Sequence, residues 1–90
     1  MKATVKKGIW EFEQESDDEC WGDFLMFVVC PIFKSLKPYE PINLILETDK
    51  SKMQGQVTHQ TMPEFVYLFL KWSGFGVGKE EIKDFLEEEY

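Results

Sequence analysis

Ninety residues, 43% hydrophobic and 16% aromatic, are enough for one domain with a core of its own, and a chain of this size buries roughly 60–65% of its unfolded surface. The formal charge of −7 is built from Lys, Asp and Glu alone, with no Arg anywhere. That excludes the clustered basic, Arg-bearing face that nucleic-acid binding needs, and it favours contact with a basic protein surface. Thirteen of the seventeen carboxylates fall in two runs, Glu11 to Asp23 and Glu80 to Glu89. No apolar stretch is long enough to span a bilayer, and the first residues, Met1 to Lys7, lack the apolar core of a signal peptide. The expected compartment is therefore the cytoplasm, with Cys20 and Cys30 as free thiols.

Residues 2–14 read as one extended segment that changes phase at Lys7-Gly8, where a bulge or bend is expected. From Trp10 to Gln14, aromatic residues alternate with glutamates, giving one packing face and one acidic face. Residues 15–30 are two-sided. Ser16-Asp17-Asp18-Glu19 has the spacing of a helix capping box, with Pro31 as a stop. Phe24 to Val29, a short continuous apolar run ending in two β-branched residues, fits a strand buried on both faces. The strand is the preferred reading, with Glu15–Asp23 as an acidic loop and a helix over 16–30 as the alternative. Pro31, Pro38 and Pro41 leave no room for a long element in 31–41, and Pro38-Tyr39-Glu40-Pro41, a PxxP without a neighbouring Arg, reads as a connection.

Ile42 to Thr48 and Met53 to His59 alternate about the turn Asp49-Lys50-Ser51, predicting a hairpin in which Gly55 leaves room for a helix to approach. Thr61 to Gly74 carries a complete helix signature. Thr61 and Glu64 form a capping box, Pro63 sits in the first turn, Phe65, Leu68, Phe69 and Trp72 share a stripe, and Gly74 with Phe75 ends it. A last helix over 79–88 places Ile82, Phe85 and Leu86 on one stripe, with Val77 as a staple to Ile82. The expected fold is a single α+β domain over 1–90: a small antiparallel sheet of three or four strands with two C-terminal helices packed on one face.

No residue set points to catalysis. His59 stands alone after a packing strand, which suits a tucked structural histidine, and the abundant carboxylates lack apolar partners to separate their pKa values. Counted from Asp17, a calcium loop would need Glu at the twelfth position, where Val28 stands. Two Cys and one His at wide spacings make no zinc motif, and Gly74-Phe75-Gly76-Val77-Gly78 follows a helix rather than the strand a phosphate loop requires. No catalytic residue, metal or cofactor is therefore expected.

What remains is a contact surface. The acidic side chains Asp17, Asp18, Glu19, Asp23, Glu80, Glu81, Asp84, Glu87, Glu88 and Glu89, with Trp21 and Tyr90 as aromatic anchors, are the candidate partner-binding residues. They suggest a small acidic inhibitor, immunity protein or nucleic-acid mimic, phage-encoded types included, docking on a basic protein without touching nucleic acid or membrane. The alternative is a self-associating structural protein. The apolar arc of the 62–73 helix is wider than one sheet needs, and Val66, Phe69 and Leu70 would then form a subunit interface in a homo-oligomer.

Overall fold

A computed structural model describes residues 1–16, 20–37 and 39–88, with the side chain of Glu88 excepted. Four strands form one antiparallel sheet: β1 (Lys2–Lys7), β2 (Trp10–Glu15), β3 (Ile42–Glu47) and β4 (Lys52–Val57), in the spatial order β2-β1-β3-β4. A helical stretch follows β2, consisting of α1 (Trp21–Phe24), a π-helical segment (Leu25–Val29) and α2 (Cys30–Ser35). After β4 come α3 (Met62–Trp72) and α4 (Lys79–Glu88). This is the expected α+β class, with the C-terminal helix pair and one helical stretch more than expected.

The phase change in residues 2–14 is a hairpin rather than a bulge. Lys7 pairs with Trp10, so only Gly8 and Ile9 form the turn, and Gly8 takes φ +59°. A glycine first in a two-residue loop suits the II′ turn, whose twist matches that of the flanking strands. The ladder runs on past the strand ends. The Met1 amino group donates to the Ser16 carbonyl (2.6 Å), and the Ser16 N–H donates to the Met1 carbonyl (2.8 Å).

The register sorts side chains onto two faces. Ala3, Val5, Ile42, Leu44, Leu46 and Val57 lie on one face and are buried against Phe24, Leu25, Val28, Val29, Met62, Val66, Phe69, Leu70, Ile82 and Leu86. The other face carries Lys2, Lys6, Glu11, Glu13, Glu15, Glu47 and Lys52 around Thr4 and Ile45, which are themselves buried. Lys2 reaches Glu13 (3.3 Å) and Glu47 (3.8 Å). The hydrogen bond from Lys2 to Glu13 and the negative charge around it hold its ammonium above the usual lysine range.

The apolar run Phe24–Val29 is helical, not a strand, and Pro31 does not stop it. Instead the backbone widens. The Cys30 N–H bonds to the Leu25 carbonyl, five residues back, in the π-helical segment just upstream of the proline. A proline inside a helix removes one N–H and crowds the carbonyl four residues before it, and a local π turn is a common way to relieve that crowding. The helix therefore continues to Ser35, so 31–41 begins as helix rather than as open connection. Of the acidic loop expected over Glu15–Asp23, Glu15 belongs instead to β2 and Trp21 to Asp23 belong to α1. Asp17, Asp18 and Glu19 of the capping box expected over Ser16–Glu19 lie outside the described residues.

In α3 the stop signal is as expected and the start signal is not. Gly74 (φ +93°) ends the helix in a Schellman arrangement: the Phe75 N–H donates to the Leu70 carbonyl (3.0 Å) and the Gly74 N–H to the Lys71 carbonyl (3.1 Å). No capping box forms, because Thr61 is already helical and its hydroxyl accepts the Thr58 N–H (2.9 Å) in a preceding turn. Glu64 turns instead to Lys79, at the start of α4 (3.4 Å). The buried stripe is Met62, Val66, Phe69 and Leu70, one position round from the expected one, and Trp72 is left 67% exposed.

Gly55 earns its place on β4. A Cβ there would stand 2.9 Å from Cε2 of Phe65 on α3. Valine would suit the strand but not this gap, and overpacking of this kind typically outweighs a propensity gain. Gly55→Val is expected to destabilise the protein by about 1–3 kcal/mol in urea unfolding, with Phe65→Leu in the same background recovering part of the loss.

Candidate functional site

The acidic surface divides by element. Asp23 is exposed on α1, and Glu80, Glu81, Asp84 and Glu87 are exposed on α4. Asp17, Asp18, Glu19, Glu89 and Tyr90 lie outside the described residues, and for Glu88 only the backbone is described. Trp21 is not the free aromatic anchor expected of it, because its ring is half-buried and packed on the core. Val66, Phe69 and Leu70, the expected subunit interface, are at most 1% exposed within this one chain and so present no open face to a second copy. The apolar arc of α3 is covered by β4 on one side and by α4 on another, with Phe24 of α1 against Phe69, and Trp72 stays exposed.

His59 is tucked, as expected: its ring stacks on Phe33 with centroids 4.0 Å apart. Cys30 is buried and Cys20 exposed, both as free thiols. Among the described residues no group of His, Cys, Asp or Glu is arranged to hold a metal ion, and no helix is long and apolar enough to cross a membrane.

Three large exposed apolar residues adjoin one another at the β2 edge, while Met26, Phe27 and Trp72 are exposed on the helices. Ile9 (97% exposed) stands in the turn, and Trp10 (75%) and Phe12 (45%) stand on the strand farthest from β4, on the sheet face that the helices cover elsewhere. A groove of about 250 Å³ separates Trp10 and Phe12 from the end of α2, with Val5, Leu36 and Ile42 along its floor and wall. Its charged rim is Lys7, Lys37 and Glu40. Lys7 bridges to Glu40 across the groove, and the hydrogen bond from Lys7 holds the Glu40 carboxyl below its ordinary range.

The loop beyond the groove has an unusual backbone. The Glu40 N–H donates to the Lys37 carbonyl (3.2 Å), and the turn holds Tyr39 at φ +68° with its ring 82% exposed. An aromatic residue in the left-handed region is uncommon and collects at binding surfaces more often than elsewhere.

Comparison of the chain with protein-family models, curated proteins and solved structures finds no match, so the site is read from its own chemistry.

Three features meet at this edge. All six β2 residues are exposed, aromatic side chains occupy one side of the strand, and carboxylates occupy the other. Among the described residues Glu11 and Glu15 have no ion pair, so part of that negative charge is unspent. Exposed aromatic residues beside an apolar groove are the usual composition of a contact surface. The sequence had drawn attention to charge density. The stronger signal was the Trp10-x-Phe12 alternation on a strand whose turn ends in an exposed isoleucine.

Proposed function

We propose that this is a small acidic, cytoplasmic, non-enzymatic protein that acts by contact with a basic protein partner, as an inhibitor or immunity-type module does. The supporting observation is the β2 edge, where the exposed rings of Trp10 and Phe12 flank an apolar groove and Glu11, Glu13 and Glu15 line the opposite side of the same strand. The rings supply anchors with few rotatable bonds, and the carboxylates supply attraction and register. The exposed acids of α4 add a long-range field that raises the encounter rate rather than the contact energy. Free thiols in a chain of this size fit a reducing compartment.

The test is binding to the partner recovered from the native host, measured at about 50 mM and about 500 mM salt, where the screening length falls from more than 10 Å to a few ångströms. The expected result is affinity weakened by at least about tenfold at the higher salt, mostly through a slower association rate. Affinity independent of salt rules out charge-guided contact.

A further inference from the structure

The β2 edge leaves backbone as well as side chains without a neighbour. In an antiparallel ladder, residue pairs alternate between those that exchange both N–H···O bonds and those that exchange none. Met1 and Ser16 exchange both, which fixes the phase of the β1–β2 ladder: Gln14, Phe12 and Trp10 turn their backbone groups towards β1. Glu11, Glu13 and Glu15 therefore turn theirs away from the sheet, along the edge where no other strand stands among the described residues. Such a row of outward donors and acceptors is a template for one more strand.

The side chains say what that strand must carry. An antiparallel neighbour that exchanges bonds with Glu11, Glu13 and Glu15 sets its own residues opposite them, on the carboxylate side. The residues between fall on the other side, along the outer flanks of Trp10 and Phe12. A second copy of β2 is a poor occupant. A two-fold pairing would place Glu13 against Glu13 and Glu11 against Glu15, and like charges directly opposite are destabilising. A strand with basic residues at every second position satisfies all three carboxylates.

We propose that the β2 edge takes an extended segment of a partner protein, alternating basic and apolar residues, as a fifth antiparallel strand of the sheet. The basic residues pair with Glu11, Glu13 and Glu15, and the apolar ones cover Trp10 and Phe12. This deepens the contact reading above and rests on it, since it names the segment the basic partner would offer.

The probe is a capped synthetic heptapeptide alternating Lys and Val, titrated into the full chain and followed by amide NMR and hydrogen exchange. A peptide of the same composition with Lys and Val in separate blocks is the control. Strand addition predicts that the alternating peptide binds at least about tenfold more tightly than the block peptide. It also predicts that the amides of Glu11, Glu13 and Glu15 become protected, while those of Phe12 and Gln14, already bonded to β1, change little.

Two further variants separate backbone pairing from side-chain attraction without disturbing the core. N-methylation of the alternate peptide nitrogens that face β2 should abolish binding, whereas N-methylation of the others should not. On the protein, Glu13→Pro removes one outward N–H from an edge strand, where proline is tolerated, and should weaken binding by at least about tenfold relative to Glu13→Gln. Equal binding of the alternating and block peptides, or tight binding without protection at Glu11, Glu13 and Glu15, overturns strand addition and leaves charge-guided contact standing. Failure of the salt test with the native partner overturns the contact reading itself.

Discussion

Phe69→Ala is expected to cost about 3–5 kcal/mol of folding stability. Phe69 is 1% exposed and its ring sits 6.0 Å from that of Phe24, tilted by 49°, in a core that includes Val66, Leu70 and Ile82. Truncation removes the ring's burial, the aromatic pair and the packing around both, and leaves a cavity that fixed helices cannot close. A domain is held by only about 5–15 kcal/mol in total, so thermal unfolding should fall by more than about 10 °C. The same experiment decides between burial within the chain and burial between subunits. If Phe69 packs within one chain, melting points of the wild type and of Phe69→Ala do not change with protein concentration over a hundredfold range. A wild-type melting point that rises with concentration returns Val66, Phe69 and Leu70 to a subunit interface.

The elements that were legible in the sequence are those whose signals are local. The α3 stop is written in Ser73-Gly74-Phe75, because only a left-handed residue lets the last carbonyls find donors, and the structure closes it with those residues. The β3–β4 hairpin follows from its alternation, and the Thr48 hydroxyl closes its turn by accepting the N–H groups of Lys50 and Ser51. Gly55 announced a close approach, and Phe65 makes it.

Where the reading went astray, the deciding physics was non-local or uncommon. Phe24–Val29 buries Phe24, Leu25, Val28 and Val29 as a helix while Met26 and Phe27 face outward, and an unbroken apolar run hides that periodicity, so it reads equally well as a buried strand. Its passage through Pro31 depends on a π turn that no propensity encodes. Thr61 fails as a cap because Thr58 captures its hydroxyl first. The Gly8-Ile9 turn did have a signal, glycine at the first position of a two-residue loop, which a phase change of alternation should have exposed as a hairpin.

The candidate site was half legible for the same reason. Trp10, Phe12 and the glutamates between them were visible as a two-faced strand. Whether the aromatic face is covered depends on strand order, and β2 at the sheet edge leaves the rings out from under the helices. The acidic runs drew attention because charge is countable in a sequence, whereas edge position is not.

The second large effect is expected at that edge. Trp10 is the most exposed tryptophan of the chain, and its ring forms one wall of the groove. An aromatic anchor at a protein contact typically carries about 2–4 kcal/mol, so Trp10→Ala should weaken partner binding by about 30-fold to about 1000-fold. Its effect on stability should stay within about 1 kcal/mol, because little of the ring is buried in the free protein.

The most direct measurement sets the two acidic surfaces against each other in one binding assay with the native partner. One variant carries Glu11→Gln, Glu13→Gln and Glu15→Gln; the other carries Glu80→Gln, Glu81→Gln, Asp84→Asn and Glu87→Gln. If the β2 edge is the contact, the first variant loses at least about tenfold in affinity, chiefly through faster dissociation, while the second changes mainly the association rate and its salt dependence. Loss of affinity through faster dissociation in the α4 variant, with the β2 variant binding as the wild type does, contradicts the assignment and returns the recognition surface to α4.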